Sequence, residues 1–97
     1  MASWFLRVEW RHDFEVEPVE TFGEIGEDGY EIRRVEVYRD GRMDWADAVR
    51  ETDRVFLAEA PMPPLEEINA QAEFSAATME RADFEAMWER ARTEGWL

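Results

Sequence analysis

The sequence predicts an α+β fold: an antiparallel sheet of about five strands with a C-terminal helix packed on one face. Three observations carry that prediction. Trp4–Trp10 alternates, with Trp4, Leu6, Val8 and Trp10 on one side and Arg7 and Glu9 on the other, the period-two signature of a half-buried strand. Residues 29–42 form a β-branched and aromatic run that ends in Asp40-Gly41 before apolar residues resume at Met43 and Trp45, which reads as a hairpin. Phe84, Met87, Trp88 and Ala91 then recur at i, i+3, i+4 and i+7, the spacing of an amphipathic helix over about 81–92. The chain of 97 residues is short enough for a single core, so one domain is expected, with its sheet over about 4–58 and its helical part over about 64–94.

After the first strand, His12-Asp13 opens an acidic connection to Glu17-Pro18, where proline excludes helix. Val19–Ile25 is the second strand, and Gly23 within it marks a bulge or a close backbone approach. Gly26-Glu27-Asp28-Gly29 is a turn. The third strand carries a phase slip, because Tyr30 and Ile32 keep one parity while Val35 and Val37 fall on the other. A bulge at Arg33-Arg34 is expected, the alternative being a strand covered on both faces. Met43–Trp45 returns from the hairpin with Asp44 towards solvent, and Val55–Ala58 supplies a last short strand before Pro61, Pro63 and Pro64. Pro64–Asn69 reads as one or two helical turns, Phe74 and Met79 anchor a linker, and Gly95 ends the final helix. With the helices on one face, the other face of the sheet is expected to be solvated by the acids that alternate along the strands.

Charge narrows the function classes. Twenty-four acids oppose eleven bases, all arginine, for a net charge of −13, and residues 1–31 alone hold nine acids and two arginines. Such a field repels phosphate backbones and anionic membrane surfaces, so neither nucleic acid nor membrane is an expected partner, and a basic protein is. There is no cysteine and hence no thiolate chemistry or disulfide. With no apolar run near the ~20 residues of a membrane span and no signal-peptide layout at the start, a cytoplasmic location is the expectation.

No motif carries a reaction on its face. His12 is the only histidine; with Asp13, Glu15 and Glu17 it could orient a base or hold a metal, but these positions lie along an extended segment facing different ways. A strand-end turn with the imidazole bonded to backbone is the better reading, and neither a metal, a cofactor nor a catalytic residue is expected. Glu24 with Glu31 or Glu36 could make a carboxylate pair, although strand-alternating glutamates usually form a solvated face. Arg33, Arg34, Arg39 and Arg42 form the one basic island, expected to neutralise Glu31, Glu36 and the acids around them. Trp88, Trp10 and Trp45 are expected in the core, whereas Trp4 and Trp96, near the termini, are candidates for exposed interface anchors.

Spaced positions over nearly the whole chain match a known pattern: Val8-Glu9-Trp10, His12-Asp13, Gly29-Tyr30-Glu31, Val35-Glu36-Val37-Tyr38, Asp40-Gly41-Arg42, Leu65-Glu66-Glu67-Ile68-Asn69, and Phe84-Glu85 with Trp88. On these residues the chain resembles a family of small bacterial domains of unknown function. Glu80 stands where that pattern has a Ser or Thr cap. The resemblance implies a compact α+β domain and supplies no activity, so it carries over no functional residue. Small acidic proteins of this kind include immunity proteins of bacterial toxin systems, an analogy of class.

The first functional expectation is therefore an acidic protein-binding module, immunity-type or inhibitory, that occludes a basic partner. Its contact residues would be Glu15, Glu17, Glu20, Glu24 and Glu31, with Trp4 and Trp96 as anchors. The alternatives are a nucleic-acid mimic, and a small-molecule binder or enzyme with a pocket between sheet and helix, for which His12, Tyr30, Tyr38 and Arg33 are the polar candidates. A short exposed edge strand would also let two copies pair as a homodimer.

Overall fold

In the computed structural model, which describes residues 2–94, five antiparallel strands form one sheet. These are β1 (Trp4–Trp10), β2 (Glu20–Ile25), β3 (Glu31–Val37), β4 (Met43–Ala46) and β5 (Phe74–Met79), in the order β4-β3-β2-β1-β5. Two helices accompany them, α1 (Leu65–Asn69) and α2 (Arg81–Glu94). The α+β class and the strand number agree with the sequence. The fifth strand does not: Val55–Ala58 is an irregular segment, and the sheet is completed by Phe74–Met79, a stretch whose sequence suggests a linker. The sheet therefore extends well beyond residue 58.

The β3–β4 hairpin forms where Asp40-Gly41 predicted it. Gly41 sits at φ 93°, in the left-handed region, and the Asp40 carboxylate accepts from the Arg42 N–H at 3.0 Å. The phase slip in β3 is a bulge one position earlier than expected. Glu24 pairs with Arg33 and Ile25 with Glu31, so Ile32 is the extra residue, and it is exposed. That single insertion puts Val35 and Val37 on one face and Glu31, Arg34 and Glu36 on the other.

Both faces of the sheet are covered, contrary to the expectation of a solvated second face. On the first, α2 lays Phe84, Trp88 and Ala91 against Phe5, Phe22, Val35 and Met43. Phe84 is fully buried, its ring centroid 5.1 Å from that of Phe5, and burial of such a side chain contributes roughly 1.5–3 kcal/mol. Arg33 ties the helix down: its Nη atoms donate to both Glu85 oxygens at 3.0 and 2.7 Å, while its Nε donates to Glu24 on the neighbouring strand. On the second face, Leu6 and Ile25 are buried beneath Ile68 of α1, with Trp4, Val8, Met62 and Phe74 packed around them. The alternation read along β1 is right, but the Trp4/Leu6/Val8 side is roofed by α1 and the chain before it, and Phe5 is the residue that meets α2.

Side chains close both sheet edges. On β5, Asn69 Oδ1 accepts from the Ala76 N–H at 2.7 Å and Asn69 Nδ2 donates to the Ala76 carbonyl at 3.0 Å, so one side chain completes the ladder. On β4, the Trp45 N–H donates to Asp44 Oδ1 and the Trp45 carbonyl accepts from Arg50 Nη1. Strand-edge pairing between copies therefore loses its template at the centre of each edge.

Candidate functional site

The glutamates expected on an open face divide sharply. Glu15 and Glu17 stand in solvent and make no ion pair among the described residues. Glu20 is held by Arg7 Nε at 2.5 Å. Glu24 is buried and accepts from Arg33 Nε at 2.6 Å and from the Ser3 hydroxyl at 2.7 Å. Glu31 is more buried still: its carboxylate accepts from the Ala58 N–H at 2.9 Å and from Arg34 Nη1 at 3.2 Å. Glu24 and Glu31 are thus spent on buried ion pairs, while Glu20 sits in an ion pair at the surface. Trp4 is half-buried against the second-face cluster, and Trp96, like Gly95, lies outside the described residues.

The loop 11–19 between β1 and β2 brings Glu15 and Glu17 together with two exposed apolar residues. Phe14 is 58% and Val16 82% exposed, and with Asp13 they give the order acid–Phe–acid–Val–acid. The signal was present in the sequence as two apolar residues inside an acidic connection with no strand to justify them. His12 fixes the loop from beneath. Its Nδ1 accepts from the Phe14 N–H at 2.9 Å, so the ring proton sits on Nε2 and is donated to the Pro18 carbonyl at 2.8 Å. The imidazole lies 4.0 Å from the Trp10 ring and stacks on Phe14 at 5.3 Å. Arg39 Nη2 adds a bond to the His12 carbonyl at 2.8 Å. The single histidine is thus a clamp on backbone groups, as expected, with neither ring nitrogen left for a metal or a substrate. Among the described residues no group of three or more His, Asp and Glu side chains is placed to hold a metal ion.

The polar residues suggested for a pocket between sheet and helix do not converge. Arg33 lies under α2, Tyr30 is exposed, and His12 is at the end of β1. Tyr38 belongs to a polar cluster on the opposite face from the Arg33–Glu24–Glu85 group. There Arg34 donates through Nε to Glu36 at 2.8 Å, and the Tyr38 hydroxyl donates to the other Glu36 oxygen at 2.9 Å. Burial pushes the Glu31 carboxyl upward against the pull of Arg34 and the Ala58 N–H. It also raises the Tyr38 hydroxyl, helped by the Glu36 charge, so Tyr38 stays a donor. Asp44, expected in solvent, is 1% exposed and accepts from Arg50 and Arg54 at 3.2 Å each.

Above this cluster is a cavity of about 520 Å³. Leu6, Val8, Trp10, Ile68 and Phe74 make its apolar walls; Thr21, Gly23 and Arg34 form its floor; Phe56 stands at the rim, half exposed. Gly23 leaves room for the Glu31 carboxylate: a Cβ at that position would lie 2.8 Å from Glu31 Oε2. The sequence expectation was a bulge or a close backbone approach; the bulge lies opposite Glu24 and Ile25, and what crowds Gly23 is the Glu31 side chain.

The sequence profile of a domain of unknown function, DUF6881, matches residues 4–93. The chain belongs to the DUF6881 family. That match spans every element from β1 to the last turns of α2. No curated protein matches this DUF6881 chain, and no solved structure does. No helix among the described residues is long and apolar enough to cross a membrane.

Proposed function

We propose that this DUF6881 domain is an acidic protein-binding module that docks a basic partner through loop 11–19 and occludes it, in the manner of an immunity-type or inhibitor protein. The observation that carries the reading is the loop itself. Asp13, Glu15 and Glu17 make no ion pair with any described residue, while Glu20, Glu24, Glu31 and Glu36 are paired with arginines. Between them Phe14 and Val16 offer apolar surface to a partner. Aromatic anchors set in charge of one sign combine a slow dissociation with steered association. The clamp of His12, Arg39 and Trp10 means that little loop ordering has to be bought at the moment of binding. A mimic of nucleic acid would need unpaired carboxylates in rows; along these strands the acids alternate with arginine partners.

A photo-crosslinking residue at position 14, introduced in the source cell, captures the partner. Its recombinant form is then bound to the wild-type chain, to Glu15→Lys/Glu17→Lys and to Phe14→Ala. The expected partner is a basic protein, with association slowed about tenfold between ~0.05 and ~0.5 M salt and slowed similarly by the charge reversals. Phe14→Ala should speed dissociation by about tenfold or more. An acidic partner, or an association rate indifferent to both salt and charge reversal, overturns the proposal.

A further inference from the structure

We propose that the second-face cavity is a binding site for an uncharged small molecule with a flat apolar body and a carboxamide-type head. Its volume of about 520 Å³ falls within the ~300–1,000 Å³ of small-molecule sites, and it has their composition: apolar walls with few, convergent polar groups. The deciding group is Arg34. Its Nε is spent on Glu36 and its Nη1 on Glu31, but its Nη2 makes no hydrogen bond with any described residue. The guanidinium is held from two sides by carboxylates that are 2% and 8% exposed, so the free edge is fixed in direction. The Thr21 hydroxyl, on the adjacent strand and in register with Glu36, is likewise unused by any described residue.

The charge of the ligand follows from what already surrounds Arg34. Glu31 and Glu36 offset the guanidinium, and Glu17 and Arg54 stand at the cavity's margin, so the lining carries a small negative excess. An anionic head would find its one fixed donor already neutralised. A cationic head would have to draw on carboxylate oxygens already bonded to Arg34, Tyr38 and Ala58. A carbonyl oxygen needs only the free Nη2–H, and the N–H of the same amide can share a carboxylate lone pair or the Thr21 hydroxyl. The body of the ligand would lie against the aromatic pair Trp10 and Phe74, whose ring centroids are 5.9 Å apart.

A matched series tests this: 2-naphthamide, 2-naphthoate and 2-naphthamidine differ in head-group charge with the body held constant. Each is titrated into the isotope-labelled full chain, following the Trp10 indole N–H and the Leu6 and Val8 methyl signals. The expected result is saturable shifts of these signals with naphthamide, at a dissociation constant below about 1 mM, and binding about tenfold weaker for both ions. Arg34→Met would strip the partner from two buried carboxylates and endanger the fold, so two other variants carry the test. Thr21→Val, nearly isosteric, should weaken naphthamide about threefold to tenfold. Val8→Trp, which fills the cavity from its wall, should abolish binding. Absence of these shifts with all three probes, an ion bound as tightly as the amide, or Val8→Trp without effect each overturns the assignment.

Discussion

Gly23→Ala tests whether the close approach of the Glu31 carboxylate shapes the second face. Elsewhere in a strand this substitution is favourable, since glycine in an element interior costs roughly 0.5–1 kcal/mol relative to alanine. Here the new Cβ would sit 2.8 Å from Glu31 Oε2 and 3.7 Å from Glu31 Cδ. The carboxylate cannot simply swing away, because the Ala58 N–H and Arg34 hold it and its side chain is only 2% exposed. Forcing an extra methyl into such a site costs about 1–3 kcal/mol. The net expectation is a loss of about 0.5–2 kcal/mol, read as a lower urea midpoint at unchanged m-value. Tryptophan fluorescence and far-ultraviolet circular dichroism should report the same transition. Glu31→Asp draws the carboxylate back by one methylene, so the cost of Gly23→Ala should shrink in that background, leaving a coupling of about 0.5 kcal/mol or more. A Gly23→Ala protein as stable as the parent, or an equal cost in both backgrounds, would refute the reasoning.

Three further outcomes are expected. Asn69→Ala removes both side-chain bonds to Ala76 and should cost about 1–3 kcal/mol; by opening the β5 edge it should also make the protein's mass in light scattering concentration-dependent, which the parent's should not be. Phe84→Ala empties a fully buried site under α2 and should cost about 3–5 kcal/mol in urea unfolding, a large part of the stability of a domain this size. The third concerns pH: the Glu31 carboxyl is raised above 4.5 by burial, so its contribution to stability is complete below that pH and declines as pH rises through the folded-state value. Glu31→Gln removes that decline, so the stability of the variant relative to the parent should rise with pH above about 4.5. A constant difference across pH 4–8 would contradict the burial argument.

What could be read in the sequence is what local chemistry settles. Asp40-Gly41 fixed a hairpin because only that turn suits the pair, and the i, i+3, i+4, i+7 spacing of Phe84, Met87, Trp88 and Ala91 admitted no strand. His12 was legible as a backbone clamp, while Gly23 was legible only as a bulge or a close backbone approach and proves to be crowded by a side chain. The fifth strand was not legible, since Phe74–Met79 has little β-branched character and becomes a strand by pairing with β1 on one side and Asn69 on the other. Val55–Ala58 has the better strand composition but no partner, because Asp44 and Arg50 have taken the backbone groups at the centre of the β4 edge.

The acids show the same division. By itself the chain determined its net charge, its hairpin and its last helix, all properties of neighbouring residues or of simple sums. Which glutamates meet solvent was decided by tertiary structure alone. One bulged residue, Ile32, sets the parity of β3, and that parity sends Glu31 and Glu36 inward beside Arg34. Glu15 and Glu17, on a loop outside the ladder, have no strand to turn them in.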